Sequence, residues 1–80
     1  MKYVYILKSV NYPEQTYIGI TYSLKDRLNE HNSGKSHHTS KYLPWKVVTA
    51  VLFANDKKAL EFEKYLKSGS GKTFAKRHLL

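Results

Sequence analysis

Five side chains of this sequence could together hydrolyse a phosphodiester: the phenols of Tyr5 and Tyr17, the guanidinium of Arg27, the imidazole of His31 and the carboxylate of Glu63. A carboxylate can hold a divalent cation, which polarises a phosphate and neutralises the charge developing on it. A guanidinium bridges phosphate oxygens with a planar fork of donors. A phenol or an imidazole orients or deprotonates the attacking water. Gly19 adds space, because a glycine inside a strand often marks the close approach of a ligand or another backbone.

These groups matter only if the chain brings them together. Residues 3–8 are aromatic and β-branched and read as a strand, and residues 16–21 as a second, antiparallel one. Alternation of side chains puts Tyr3, Tyr5 and Leu7 on one face, and Tyr17, Gly19 and Thr21 on one face of the partner. Gly19 is then expected to leave an open patch beside the tyrosines, whose alternative role is ordinary cross-strand packing. Ser23-Leu24-Lys25-Asp26 resembles a capping box and predicts a helix to about Asn32, stopped by Ser33-Gly34. Leu24 and Leu28 form its apolar stripe, with Arg27 and His31 on the same side and Lys25, Asn29 and Glu30 facing elsewhere. Residues 46–53 form a nearly continuous apolar run, read as a strand buried on both faces. Asn55 or Asp56 caps a second helix to about Lys67. Ser68-Gly69-Ser70-Gly71 breaks it, and residues 72–79 form a short last helix. At ~100° per residue, Phe62, Leu66, Ala59 and Leu60 share one arc of the second helix, with Glu63 inside it. An ionised carboxylate toward a core is costly unless it is paired or holds a cation. The readings are therefore an ion pair with Lys or Arg, a shallow site at the edge of the face, or a metal ligand.

The element order β-β-α-β-α-α predicts an α+β domain over residues 1–80, a three-stranded antiparallel sheet flanked by helices. Eighty residues afford one core and no separate substrate domain. With 41 % hydrophobic and 14 % aromatic residues, the chain is too apolar to be disordered. There are no cysteines, which excludes disulfides and thiolate metal sites and is compatible with the cytoplasm, where we expect the protein. The apolar run near Met1 is too short for a signal peptide or a membrane span. Fourteen Lys and Arg against six Asp and Glu give a net charge of +8, which suits a polyanionic partner, nucleic acid foremost; a solubility surface or an acidic protein partner are the alternatives.

Three further motifs carry weaker signals. Gly69-Ser70-Gly71-Lys72-Thr73 ends like a phosphate-binding loop, but Leu66 occupies the position of the required first glycine. His37-His38 lacks a spaced third ligand; residues 35–44 read as a basic surface loop, in which His38-Thr39-Ser40-Lys41-Tyr42 is expected to meet a phosphate backbone. Trp45 reads as a core anchor at the start of the third strand, with base stacking as its alternative.

Tyr3-Val4-Tyr5 followed by Tyr17-Ile18-Gly19 resembles the paired strands of the GIY-YIG endonuclease superfamily. Residues 24–31 resemble its Arg-bearing helix, and Glu63 falls where the family has its metal-binding Glu. The resemblance spans the chain and is closest to small stand-alone bacterial members, whose ends resemble Lys67-Ser68-Gly69-Ser70-Gly71-Lys72. It implies a hydrolase of DNA strands that uses one Mg²⁺ or Mn²⁺ and no small-molecule cofactor. Tyr5 would help activate water, Tyr17 would position water or the phosphate, and Arg27 would stabilise the transition state. Glu63 would hold the metal, His31 would assist proton transfer or phosphate contact, and Gly19 would keep the floor open. Lys35, His38, Lys41 and Lys72 complete the expected substrate contacts. The chain departs from the family at Tyr3, in place of the first Gly, at Ile20, where many relatives carry Lys, and near Ala75, where many carry Asn. A nucleic-acid-binding module with little or no cleavage is the second reading. A basic component of a ribonucleoprotein is a third, and it leaves Glu63 unexplained.

Overall fold

The computed structural model describes residues 1–80. In chain order its elements are β1 (Lys2–Ser9), β2 (Thr16–Thr21), α1 (Leu24–Asn32), β3 (Trp45–Phe53), α2 (Asp56–Lys67) and α3 (Gly69–His78). A single 3-10 turn, Ser40–Tyr42, lies in the basic loop. The strands pair antiparallel in the order β2-β1-β3, the expected α+β arrangement.

β1 is the central strand, and alternation decides the rest. Val4 and Ile6 point to one face and pack with Ala59 and Leu66 of α2 and Ala75 of α3. Tyr5 and Leu7 point to the other and pack with Trp45, Leu24 and Leu28. The sheet is thus sandwiched, α1 on the tyrosine side and α2 with α3 on the opposite side. Each of these large apolar side chains contributes on the order of 1.5–3 kcal/mol when fully buried.

The strand buried on both faces is β1, not β3 as the apolar run suggested. β3 has a neighbour on one side only, and Val47 and Leu52 are exposed. Its β-branched composition serves extended backbone rather than burial. The register also shifts: Ile6 pairs with Thr49 and Leu7 with Val47, so Val48 is an extra residue that bends the strand. Leu60 differs too. It lies at the rim of the apolar arc of α2 and is 46 % exposed.

The expected break between the last helices shrinks to one residue. Ser68 closes α2, its N–H donating to the Tyr65 carbonyl, and its Oγ accepts from the Gly71 N–H at 3.1 Å to start α3. The glycines therefore lie inside the first turn of α3. Gly71 is buried against the last turn of α2, where a Cβ would overlap the Tyr65 carbonyl. Gly71→Ala is expected to cost about 1–3 kcal/mol, the usual scale of overpacking, read as a lower urea midpoint. An unchanged midpoint would show that the two helices can separate freely.

Candidate active site

The site is built on the tyrosine face of the sheet. Ser23 caps α1, its Oγ accepting from the Asp26 N–H at 3.4 Å, so the Leu24–Leu28 stripe settles on β1 and carries Arg27 and His31 with it. At the other end of α1, Asn32 grips the backbone of Trp45. Its Nδ2 donates to the Trp45 carbonyl at 3.0 Å, and its Oδ1 accepts from the Trp45 N–H at 2.6 Å. Trp45 is buried, and its Nε1–H donates to the Thr39 carbonyl at 2.7 Å. It is the core anchor expected and not an exposed stacking platform.

His31 is completely buried. Its Nδ1 lies 2.6 Å from Thr39 Oγ1 and its Nε2 lies 3.0 Å from the Tyr5 hydroxyl. Arg27 Nε donates to the same hydroxyl at 3.3 Å, and Nη1 donates to Glu30 Oε2 at 2.7 Å. Every partner is satisfied if Nδ1–H donates to Thr39 Oγ1, whose own proton turns toward the Ser36 carbonyl at 3.5 Å. Nε2 then presents a lone pair to the Tyr5 O–H, a tautomer assigned from the network. Tyr17 completes the cluster, its ring centroid 4.9 Å from His31 and 6.3 Å from Tyr5.

Gly19 does not leave an open floor. It pairs directly with Tyr5 across the strands, and a Cβ there would collide with the Tyr5 hydroxyl and ring. The space made by Gly19 is filled by the phenol, so Gly19 acts on Tyr5 rather than on an incoming ligand.

Burial sets the protonation states. Tyr5 titrates above the ordinary phenol value because desolvation outweighs the nearby Arg27 charge. Arg27 is held firmly protonated, first by its hydrogen bond to Tyr5 and, against its own burial, by Glu30. His31 titrates below the usual 6.5, first through burial and then through the Arg27 charge. Folded His31 therefore stays neutral in a window where the unfolded imidazole takes up a proton. Its contribution to stability is complete above about 6.5 and is lost as pH falls through the lower folded value. Urea unfolding at descending pH is expected to show this loss in the wild type and a shallower slope in His31→Gln. Parallel slopes in the two proteins would remove His31 as its source.

Glu63 stands apart from these four groups. It lies on α2 and makes no hydrogen bond to Tyr5, Tyr17, Arg27 or His31. Its side chain is 17 % exposed and its Oε2 accepts from Lys67 Nζ at 3.1 Å. The ion-pair reading of Glu63 is thus realised, and the carboxylate already holds a cation. No group of three or more His, Cys, Asp or Glu side chains comes together, so the chain offers no all-protein cage. A single carboxylate would suit Mg²⁺ or Mn²⁺ that completes its shell with water and substrate phosphate; in this structure its partner is the Lys67 ammonium.

Of the expected substrate contacts, Lys35, His38 and Lys41 are exposed on the loop before β3, and Lys72 is exposed on α3. Lys41 lies over the Tyr42 ring, 5.6 Å from its centroid. Two residues of the cluster escaped sequence reasoning. Glu30 faces away from the Leu24–Leu28 stripe on the helical wheel, although its i, i+3 spacing from Arg27 lets the long guanidinium reach it. Thr39 is completely buried, yet nothing in a polar loop singles it out.

Residues 1–77 match the GIY-YIG catalytic domain family. The structure-specific endonuclease subunit SLX1 of Candida dubliniensis is 42 % identical over 71 residues, which cover 80 % of this chain and 25 % of that protein. The chain thus spans about a quarter of that relative's length. Among solved structures, the solution structure of a UPF0213 protein from Bacillus halodurans is similar with a TM-score of 0.57 and 28 % identity, over 96 % of this chain and 84 % of that one. The paired tyrosine-bearing strands, the Arg helix and the match over nearly all residues agree: the chain belongs to the GIY-YIG catalytic domain family.

Proposed function

We propose that this chain is a divalent-metal-dependent endonuclease that hydrolyses DNA phosphodiesters, directed by substrate shape more than by base sequence. The observation that carries this reading is the Tyr5 hydroxyl suspended between Arg27 Nε and His31 Nε2. A phenol held above its ordinary value is no standing phenolate at neutral pH, so it cannot act as a base alone. With His31 neutral beside it, Tyr5 passes its proton to Nε2 as it receives one from the attacking water, and Arg27 stabilises the oxygen through the exchange. Tyr17, half-buried beside His31, orients water or phosphate. Arg27 spends Nε on Tyr5 and part of Nη1 on Glu30, which leaves Nη2 for phosphate oxygens as charge develops. Glu63 would hold Mg²⁺ or Mn²⁺, which supplies Lewis acidity and charge neutralisation at the phosphate.

The loop cations Lys35, His38 and Lys41 and the net charge of +8 favour binding through phosphates, which carries little base information. So small a domain keeps little surface for reading bases, and the relative described as structure-specific supports recognition of shape. The protein is accordingly read as a DNA-acting cytoplasmic enzyme of repair type. The rival reading, a binding module that does not cut, draws on one observation, the Lys67 ammonium already neutralising Glu63.

Cleavage of labelled single-stranded, duplex and branched DNA, with Mg²⁺ or Mn²⁺ and with chelator, tests the proposal. Metal-dependent cutting that favours the branched substrate is expected. Salt-sensitive binding without cutting on any substrate would hand the site to the rival. In the same assay Arg27→Ala is expected to slow cleavage by at least about a hundredfold, the scale of one lost electrostatic stabiliser. Arg27→Lys is expected to recover little, because an ammonium cannot serve Tyr5 and phosphate together. A normal rate in Arg27→Ala would remove Arg27 from the chemistry.

A further inference from the structure

On the α2–α3 side of the sheet, where the start of β2 meets α2 and α3, the surface opens into a cleft of about 410 Å³. Ile18 and the buried Ala75 contribute to its floor, and Lys67, Lys72 and Lys76 carry three ammonium groups to it. Tyr17 lines it as well, and its ring packs against His31 on the other face, so the cleft and the Tyr5–His31 cluster meet at this residue of the sheet edge. Lys72 and Lys76 are four residues apart on α3, with Ala75 on the same side, so their charges project together over an apolar floor. Like charges at this spacing repel on a helix. Neither has an ion-pair partner, since the carboxylate in this region, Glu63, is bound to Lys67. Two uncompensated cations at the mouth of an apolar cleft suit a ligand that is anionic at one end and flat and apolar at the other.

We infer that this cleft is a nucleotide subsite. It takes one unpaired nucleotide of the substrate strand, with phosphate against Lys72 and Lys76 and the base over Ile18 and Ala75. Its size fits one nucleotide and not a base pair, so occupancy requires a base out of its stack, as single strands and branch points provide at least cost. This deepens the nuclease reading and rests on it for the identity of the natural substrate, while the subsite itself can be tested without cleavage.

The test is an NMR titration of the ¹⁵N-labelled chain with deoxyadenosine 5′-monophosphate, deoxyadenosine and inorganic phosphate, each at constant ionic strength. The mononucleotide is expected to shift the amides of Ile18, Lys72, Ala75 and Lys76, and to bind at least about tenfold more tightly than either fragment because charge and apolar contacts add. Lys72→Gln combined with Lys76→Gln is expected to weaken it by about tenfold or more with the thermal midpoint preserved. The subsite is overturned if the shifts are confined to the residue 35–41 loop. It is equally overturned if phosphate alone binds as tightly as the mononucleotide, or if the double variant keeps full affinity. Mononucleotide binding in the cleft by a chain that cuts nothing would keep the subsite and remove the nuclease; cutting with no binding in the cleft would do the reverse.

Discussion

Replacing Glu63 by alanine is expected to abolish Mg²⁺- or Mn²⁺-dependent strand cleavage while DNA binding stays the same or tightens slightly. The carboxylate lies within the apolar arc of α2, 17 % exposed and with Lys67 against it, and an exposed surface charge would have no reason to be there. Alanine removes the oxygens that could hold a metal and breaks none of the hydrogen bonds of the Tyr5–His31–Arg27 cluster, in which Glu63 takes no part. It also removes one negative charge from a chain of net charge +8 and releases Lys67 to solvent or phosphate. Affinity for a polyanion therefore has no cause to fall. Parallel cleavage and filter-binding assays read both halves. Full activity in the variant would mean that the Glu63–Lys67 pair is only structural.

Tyr5→Phe is the second large effect, expected to lower the cleavage rate by about two to four orders of magnitude, the range of one positioned proton-transfer group. The substitution keeps the ring that fills the space above Gly19 and removes the hydroxyl alone. His31 Nε2 and Arg27 Nε lose their common partner. The wild-type rate is expected to fall on acidification only below the ordinary imidazole value, because a protonated His31 cannot accept from Tyr5 and burial delays that protonation. The residual activity of Tyr5→Phe is expected to lack this acid limb. If the variant kept the limb at a normal rate, Tyr17 would have to be the phenol that works on water.

How far the site was legible depended on the range of the interaction. Alternation in β1 and β2 and the wheel of α1 sufficed to bring Tyr5, Tyr17, Arg27 and His31 to one side, because each rule is local and the stripe of Leu24 and Leu28 is unambiguous. What Gly19 was for required the strand register, which pairs it with Tyr5 and turns an expected opening into a filled contact. Thr39 required the position of a whole loop, fixed by Trp45 and Asn32, and no short-range pattern encodes that. The apolar run of residues 46–53 misled for another reason: extended backbone and burial favour the same residue types, and only the strand order separates them. The helical phase alone marks Glu63 as anomalous, and its partner Lys67, one turn further on, satisfies the ion-pair reading.

The central position of β1 has a consequence in the time domain. Its amides are bonded to strands on both sides, so they are expected to exchange with solvent only on global unfolding, whereas α1 and the loop that brings Thr39 to His31 cover one face of the sheet without such bonds to it. Tyr5 rides on the part of the chain expected to exchange slowest, and its proton acceptor on a helix expected to open before it. Warming or mild denaturant is then expected to uncouple the two through brief openings of that cover, so that catalytic competence fades while the sheet is still protected.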